Sequence, residues 1–250
     1  MDQETMARVN LFALLRCLED LPTYDEEAKT IADGKRETIQ FSVGGVGQAR
    51  VAIGGGKIEF IPNGGRCSIL LWFPSADKLN AMFAGTGKPI PLKGLTKLGY
   101  LTGPFTRLTE RLAYHMRATP ELLKDKGYRE GNAALSLCAA VYAAAEVGNN
   151  DPLGKLNAAR MADGEVRIAA EGGPDFGLSV HRGHLECRKG ASPRPRARMV
   201  FADLESAGEM MRGEMDSYTA IGAEKVVMGG YIPLLDNFNK ILGLVPRYLR

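Results

Sequence analysis

Two histidines three positions apart, His181 and His184, are the residues of this chain whose types and spacing first suggest chemistry. A pair of imidazoles can bind a metal ion, but a third ligand would have to come from elsewhere, and Arg182 between them repels a cation. The surrounding sequence "LSVHRGHLEC" alternates apolar residues on both sides of Arg-Gly, which is typical of a β-hairpin. We therefore expect two polar side chains at a hairpin tip and no metal site.

Two glycine-rich stretches resemble phosphate-binding motifs only superficially. The stretch "VGGVGQ" at 43–48 contains G-x-G, but a strand pattern follows it, whereas a dinucleotide site needs a helix N-terminus there to bind the pyrophosphate. The stretch "GGGK" at 54–57 lacks the spacing and the Ser or Thr of a P-loop and fits a hairpin turn. We expect no nucleotide and no other cofactor.

No catalytic residue can be named from the motifs. The chain has no G-x-S-x-G elbow, no H-E-x-x-H and no Cys/His pair in a recognisable frame. His115 follows a helical apolar stripe without an obvious Ser or Cys partner, which favours a structural role. We expect a protein that is not an enzyme. An enzyme with a hydrophobic substrate, in which His115 or Tyr231 would project into an apolar pocket, is an alternative.

A basic loop, "RKGASPRPRAR" at 188–198, is the main concentration of charge. It is either a solvated loop or a docking site through Arg194, Arg196 and Arg198 for an anionic membrane surface or an acidic partner. No aromatic residues are interleaved for base stacking, and the net charge of the chain is only +3. We expect no nucleic-acid binding.

The composition predicts a soluble cytoplasmic protein. The 250 residues include 45% hydrophobic ones, no apolar run approaches the roughly 18 residues that span a bilayer, and the first ten residues are polar. Cys17, Cys67, Cys138 and Cys187 lie far apart, which favours free buried thiols over disulfides.

The chain contains an internal repeat. The stretches "FPSADKLNAMFAG" at 73–85 and "FADLESAGEMMRG" at 201–213 align at an offset of 128, the difference between 201 and 73. Each has a leading phenylalanine, an N-cap candidate (Ser75 or Asp203), an apolar stripe and a final glycine that can end a helix. The matched positions are Phe73 with Phe201, Leu79 with Ala207, Met82 with Met210, Phe83 with Met211, and Gly85 with Gly213.

Each half shows the same order of elements: helix, strand, hairpin, strand, short helix, final strand, long amphipathic helix. This order predicts an α+β fold of two similar units, each a mostly antiparallel sheet packed against helices. We place the units at 1–120 and 130–250 with a linker at 121–129. The helix predicted at 133–147 is apolar all round, so it must be buried, either between the two halves or in a homodimer interface.

Residues 196–250 resemble the C-terminal part of the sterol carrier protein type two (SCP-2-like) family. The resemblance rests on the acid-capped helix ending in Gly213, the strand in "AIGAEKVVMGG" and the amphipathic terminal helix. Residues 38–117 are similar but more divergent, through "LLWFPSADKLNAMFAGTG" and "LKGLTKLGYLTGPF". The chain would be a tandem version of that family, with an added "PIPLKG" segment.

The resemblance implies a curved sheet of about five strands backed by helices around an apolar tunnel that accepts lipids, with the terminal helix over its mouth. In the second half it implies a lining of Phe201, Met210, Met211, Val226, Met228, Ile232, Leu235, Phe238 and Leu242. In the first half it implies a lining of Trp72, Met82, Phe83, Leu98, Phe105 and Leu108.

We therefore predict non-catalytic binding or carriage of a lipid or other apolar small molecule in an internal cavity. Methionine-rich walls suit ligands of variable shape. An interaction module with closed cavities, assembled through the apolar helix or the arginine loop, is the principal alternative.

Overall fold

The structure is a computed structural model that describes residues 2–249. The chain divides into two compact units between Ala118 and Thr119. None of the helices within the described residues has the length and apolar character that crossing a bilayer requires.

The first unit combines short helices with five strands. Its helices are α1 (Gln3–Val9), α2 (Leu21–Tyr24), α3 (Glu26–Ala32), α4 (Ala76–Phe83), α5 (Leu98–Tyr100) and α6 (Thr106–Met116). Its strands are β1 (Glu37–Val43), β2 (Gly47–Gly54), β3 (Lys57–Ile61), β4 (Ile69–Phe73) and β5 (Ile90–Lys93). After α1 the helical path continues through a π turn (Asn10–Leu14) and a 3₁₀ turn (Leu15–Glu19).

The second unit begins with a long helix and then follows the same order. Its helices are α7 (Lys126–Asn150), α8 (Pro152–Ala158), α9 (Leu204–Met211), α10 (Ser217–Gly222) and α11 (Ile232–Leu242). Its strands are β6 (Gly164–Ala170), β7 (Asp175–His181), β8 (His184–Lys189), β9 (Ala197–Phe201) and β10 (Val226–Gly230). The predicted linker segment 121–129 holds a 3₁₀ turn (Leu122–Lys124) and the first residues of α7.

Both sheets have the same strand order and directions. The orders are β3-β2-β1-β4-β5 and β8-β7-β6-β9-β10. The central pair is parallel in each sheet, with Val43 opposite Phe73 and Ala170 opposite Phe201, and the other pairs are antiparallel. The predicted fold class, α+β with two mostly antiparallel sheets against helices, is confirmed.

The two aligned stretches form equivalent eight-residue helices, α4 and α9. Gly85 and Gly213 follow them with φ of 76° and 73°, the left-handed conformation that glycine allows without steric cost. Asp203 caps α9, because its side chain accepts a hydrogen bond from the Ser206 amide at 2.7 Å. Ser75 precedes α4 without a side-chain capping bond.

The helix α7 is buried within the second unit. It packs against α8, α9, α11 and β8, and these contacts account for the burial that the sequence analysis assigned to an interface between halves or copies. Small residues allow the close approach: a Cβ on Gly208 would lie 2.9 Å from the Cβ of Ala133, and one on Gly148 would lie 3.0 Å from Leu185.

Candidate apolar site

The inner face of the second sheet is closed at its β7–β8 side. There α7 covers the strands, and the ring of Tyr142 meets that of Phe176 edge-on with centroids 5.2 Å apart. The side-chain amide of Asn149 donates to the Leu185 carbonyl at 2.7 Å and accepts from the Leu185 amide at 2.8 Å. This half of the face therefore has no room for a ligand without rearrangement.

The β9–β10 side of the same sheet is covered differently. Phe201 on β9 is opposite Val226 on β10, and both are buried. Helix α11 packs on β9, α7 and α8. Its C-terminal extension is tied down because the Tyr248 hydroxyl donates to buried Asp151 at 2.6 Å. Phe201, Val226, Leu235 and Phe238 of the predicted lining lie on these elements.

The predicted lining residues of the second unit fall into three levels of burial. The buried ones are Phe201, Val226, Leu235 and Phe238. The half-buried ones are Met210, Met211, Met228 and Leu242. Ile232, the first residue of α11, is 60% exposed. The side chains that the sequence analysis singled out for adaptability, the methionines, are thus those that the unit covers incompletely.

The segment that joins α9 to β10 is the least buried part of this region. Helix α10 buries only Ala220, and Tyr218 beside it is 89% exposed. The segment is tethered at its ends: Asp216 caps α10 through the amides of Tyr218 and Thr219, and Lys225 Nζ lies 2.6 Å from Glu209 Oε2. The segment therefore contributes little apolar burial to this region.

In the first unit the equivalent region is filled by aromatic rings. The ring of Phe41 stacks on that of Phe73 at 6.4 Å and meets that of Phe105 at 6.0 Å. Leu108 on α6 is fully buried as well. Phe105 and Leu108, which the resemblance implied as tunnel lining, therefore lie in the core of this unit.

The other predicted residues of the first unit lie at its periphery. Met82 and Phe83 are half-buried at the end of α4. Trp72 is 37% exposed between buried Leu71 and Phe73, so it projects from the opposite face of the sheet, and Leu98 is 44% exposed.

A buried polar cluster links α3 to α6 in the first unit. Asp25 accepts hydrogen bonds from the Ala28 amide (2.8 Å) and Arg111 Nη2 (2.6 Å), and its Oδ2 lies 3.0 Å from His115 Nε2. Burial alone would raise the pKa of Asp25, but the bonds from Arg111, Ala28 and His115 outweigh burial and hold that pKa below its ordinary value. Burial also lowers the pKa of His115, against the opposing effect of Asp25. Both side chains are thus engaged in holding two helices together.

A second polar cluster surrounds Glu37, whose side chain is fully buried. Burial would raise its pKa, but hydrogen bonds from Lys97 Nζ and Ser68 Oγ, both at 2.6 Å, hold the pKa below its ordinary value. Burial and the nearby charge of Glu37 raise the pKa of Tyr100 to about 12. Sequence analysis missed both polar clusters, because Glu37 and Asp25 are 31 to 90 positions away from the side chains that they hydrogen-bond, and the partners share no motif.

Two surface pockets are lined mainly by charged residues. One, of about 430 Å³, lies beside Glu37 and Arg36 in the first unit, and another, of about 360 Å³, lies beside Arg129 and Asp203 in the second. Neither contains a predicted lining residue. No group of three or more His, Cys, Asp or Glu within residues 2–249 is arranged to hold a metal ion.

The arginines of the basic loop differ in their surroundings. The Arg196 guanidinium lies 4.4 Å from the centroid of the Tyr231 ring and also donates to the Asp163 carbonyl. Arg194 and Arg198 are exposed. His181, at the predicted hairpin tip, lies 3.2 Å from Asp163 Oδ2. The docking role of this loop stays a prediction.

No protein-family model and no curated protein matches the chain by sequence. Among solved structures it is similar to a protein titled "UbiJ-SCP2 Ubiquinone synthesis protein", with 11% identity and a TM-score of 0.31 over 40% of this chain and 83% of that one. It is also similar to sterol carrier protein 2 like 2 from Aedes aegypti, with 13% identity and a TM-score of 0.32 over 42% and 95% of the two chains. A third similarity, to the sec-alkylsulfatase Pisa1 from Pseudomonas sp., has 16% identity and a TM-score of 0.27 over 60% of this chain and 29% of that one. These TM-scores are too low to assign the chain to a family.

Proposed function

We propose that this protein binds a lipid or another apolar small molecule without transforming it, and that the second unit holds it. The observation that carries the proposal is the incomplete cover over Met210, Met211, Met228 and Leu242 beside the buried core residues of β9, β10 and α11. Apolar side chains that a unit leaves partly exposed next to its own core are suited to receive an apolar ligand.

The chemistry of these residues supports the proposal. Burying an alkyl chain stabilises a complex by roughly 0.8 kcal/mol per CH₂, so a carrier needs apolar surface and no reactive group. Methionine is unbranched and adapts its shape to irregular partners. We propose no catalytic role for His115 or Tyr231, because His115 holds Asp25 and Tyr231 packs under Arg196.

We further propose that α11 is the fixed cover of this site and that the α10 segment moves to admit the ligand. Leu235 and Phe238 hold α11 on the core, and Tyr248 anchors the residues that follow it. The α10 segment buries little and is fixed mainly at its ends. Segments with few buried contacts open at low free-energy cost.

Two neighbouring positions on β10 provide a matched test. Met228 is half-buried on the side that carries Val226, whereas Val227 between them is 48% exposed. We expect wild-type protein to copurify with lipid, seen by native mass spectrometry and lipid extraction, and to bind a fluorescent fatty-acid probe. Met228→Lys should weaken probe binding at least tenfold because it places a charge in the apolar site.

Val227→Lys is the control and should bind the probe as wild type does. Equal affinity of the two variants would place the ligand elsewhere. Absence of both copurifying lipid and probe binding in the wild-type protein would overturn the proposal.

A further inference from the structure

The first unit carries an exposed apolar surface that its fold does not use for packing. We call it the β5 patch, and it consists of Trp72, Ile90, Leu92, Leu95 and Leu98, with exposures from 37% to 62%. Trp72 on β4 is directly opposite Ile90 on β5, and the three leucines follow within eight residues of Ile90. Large exposed apolar groups gathered in this way mark interaction surfaces.

The segment that carries most of the β5 patch is basic. Residues 78–109 contain no aspartate or glutamate. Lys97 and Arg107 in this run are ion-paired with Glu37 and Glu27 from elsewhere in the unit, so the cations of the run that can meet a partner are Lys78, Lys88 and Lys93. Its partner must therefore be apolar at the centre and anionic around it.

The outward position of the leucines is fixed by the fold. Lys93 Nζ donates to the Cys67 carbonyl at 2.6 Å, and Lys97 Nζ donates to Glu37 at 2.6 Å, so the backbone between Leu92 and Leu98 is tied to the sheet. Gly94 adopts φ of 84°, and a Cβ there would lie 2.8 Å from the Ser68 carbonyl oxygen. This close approach leaves the neighbouring leucines facing solvent.

We propose that the β5 patch docks the protein on the surface of an anionic lipid bilayer. Tryptophan favours the headgroup level, leucines favour the acyl boundary, and each lysine near an anionic surface adds attraction. A second copy of the chain fits poorly, because Pro91 on the edge strand has no N–H for extending the sheet and the lysines of two copies would repel. The proposal does not depend on a ligand inside the second unit.

The single tryptophan of the chain makes the docking directly observable, because Trp72 is itself part of the β5 patch. We expect its emission to shift to the blue, and to be quenched by brominated lipid, when vesicles of phosphatidylcholine with about one third phosphatidylglycerol are added. Pure phosphatidylcholine vesicles should give a much smaller change. An unchanged Trp72 emission with the anionic vesicles would overturn the proposal.

Vesicle flotation of variants tests the same surface. Leu92→Ser with Leu95→Ser should reduce partitioning about tenfold or more, and Lys88→Gln should reduce it about fivefold. The matched control is Leu153→Ser with Leu156→Ser on α8, where exposures of 50% and 49% are similar, and it should float as wild type does. Circular dichroism checks that each variant is folded.

Three results would contradict membrane docking. The first is equal flotation of the patch variant and the control variant. The second is a concentration-dependent dimer that the Leu92/Leu95 variant abolishes while vesicles bind neither protein, which would identify a second copy as the partner. The third is binding to an acidic polypeptide such as polyglutamate in the absence of vesicle binding, which would identify a protein partner.

Discussion

In the first unit three phenylalanine rings pack together, whereas in the second a long, alanine-rich helix packs on the sheet. Phe41 and Phe73 come from two strands of the first unit, and Phe105 directly precedes its helix α6. In the second unit α7 brings Tyr142 against Phe176 and approaches α9 so closely that a Cβ on Gly208 would lie 2.9 Å from the Cβ of Ala133. The strand order is the same in both sheets. The same strand order thus accommodates two different arrangements of helices against the sheet.

The units also differ in where large apolar side chains reach the surface. In the first unit these side chains lie on and beside the edge strand β5, next to Trp72 on β4. In the second unit they lie mainly on α8, on α10 and at the start of α11, at Leu153, Leu156, Tyr218, Ile221 and Ile232.

The largest expected effect concerns the aromatic cluster of the first unit. Phe41→Ala should destabilise the first unit by about 3–5 kcal/mol, because the neighbouring rings cannot collapse into the space. Hydrogen exchange, followed by mass spectrometry on peptides of residues 2–118, measures this loss of stability. Peptides of the second unit serve as an internal reference. A cost below about 1 kcal/mol would mean that the rings do not close this interior.

A somewhat smaller effect concerns the cluster around Asp25 in the first unit. His115→Gln should cost about 1.5–3 kcal/mol at neutral pH, because His115 bonds the charged Asp25. The pKa of His115 is lowered in the folded state, so the stability linked to it is present above about 6.5 and is lost as the pH falls through the folded pKa. The pKa of Asp25 is lowered too, and its contribution is lost only at still lower pH.

We expect the unfolding temperature of the first unit to fall in wild type as the pH drops below 6.5. In the His115→Gln protein the unfolding temperature should depend less steeply on pH. His184→Gln, at an exposed position of the second unit, is the control and should keep the wild-type slope. If the unfolding temperature depends on pH equally in all three proteins, His115 does not contribute to the loss of stability in acid.

The close approach of α9 to α7 gives the next prediction. Gly208→Leu should destabilise the second unit by about 1–3 kcal/mol through overpacking against Ala133. At the matched position of the first unit, Asn80 accepts a hydrogen bond from Asn10 at 3.0 Å and donates to the Gln3 carbonyl and side chain at 3.0 and 2.8 Å. Asn80→Ala should therefore cost about 1 kcal/mol through lost bonds and not through a clash. Chemical denaturation measures the free energy of unfolding of both variants. A Gly208→Leu protein as stable as wild type would argue against the tight contact between α9 and α7.

The smallest effect compares the two caps. Asp203→Ala should destabilise α9 by about 1 kcal/mol because it removes the bond to the Ser206 amide. Ser75→Ala should change stability by less than about 0.5 kcal/mol, since the Ser75 side chain makes no capping bond. Local hydrogen exchange at the first turns of α9 and α4 checks both, and equal losses would mean that the two caps act alike.

The sequence was informative where local chemistry decides the structure. Phe73, Gly85, Phe201 and Gly213 stand at the strand ends and helix ends that their spacing predicted. The hairpin tip at Arg182-Gly183 also forms, with φ of 49° and 75° at its two residues. Each of these features depends on residues a few positions apart, for which the side-chain type fixes the backbone.

Other features could not be anticipated. The start of α7 at Lys126, inside the predicted linker, depends on the cap that Asp125 provides to the Tyr128 amide, a local signal that two glycines in the first turns obscured. The exposure of Leu92 and Leu95 also escaped prediction, because it depends on how the segment meets the sheet. In this second case tertiary contacts outweigh local propensity.

The amide of Asn149 has a consequence for the open edge of the second sheet. By bonding both backbone groups of Leu185 it takes one pairing position of β8 that a further strand would otherwise occupy. Unpaired backbone groups on edge strands are where chains associate with each other and begin to form fibrils. One polar side chain at the end of a helix therefore removes one position at which a second chain could pair with this edge.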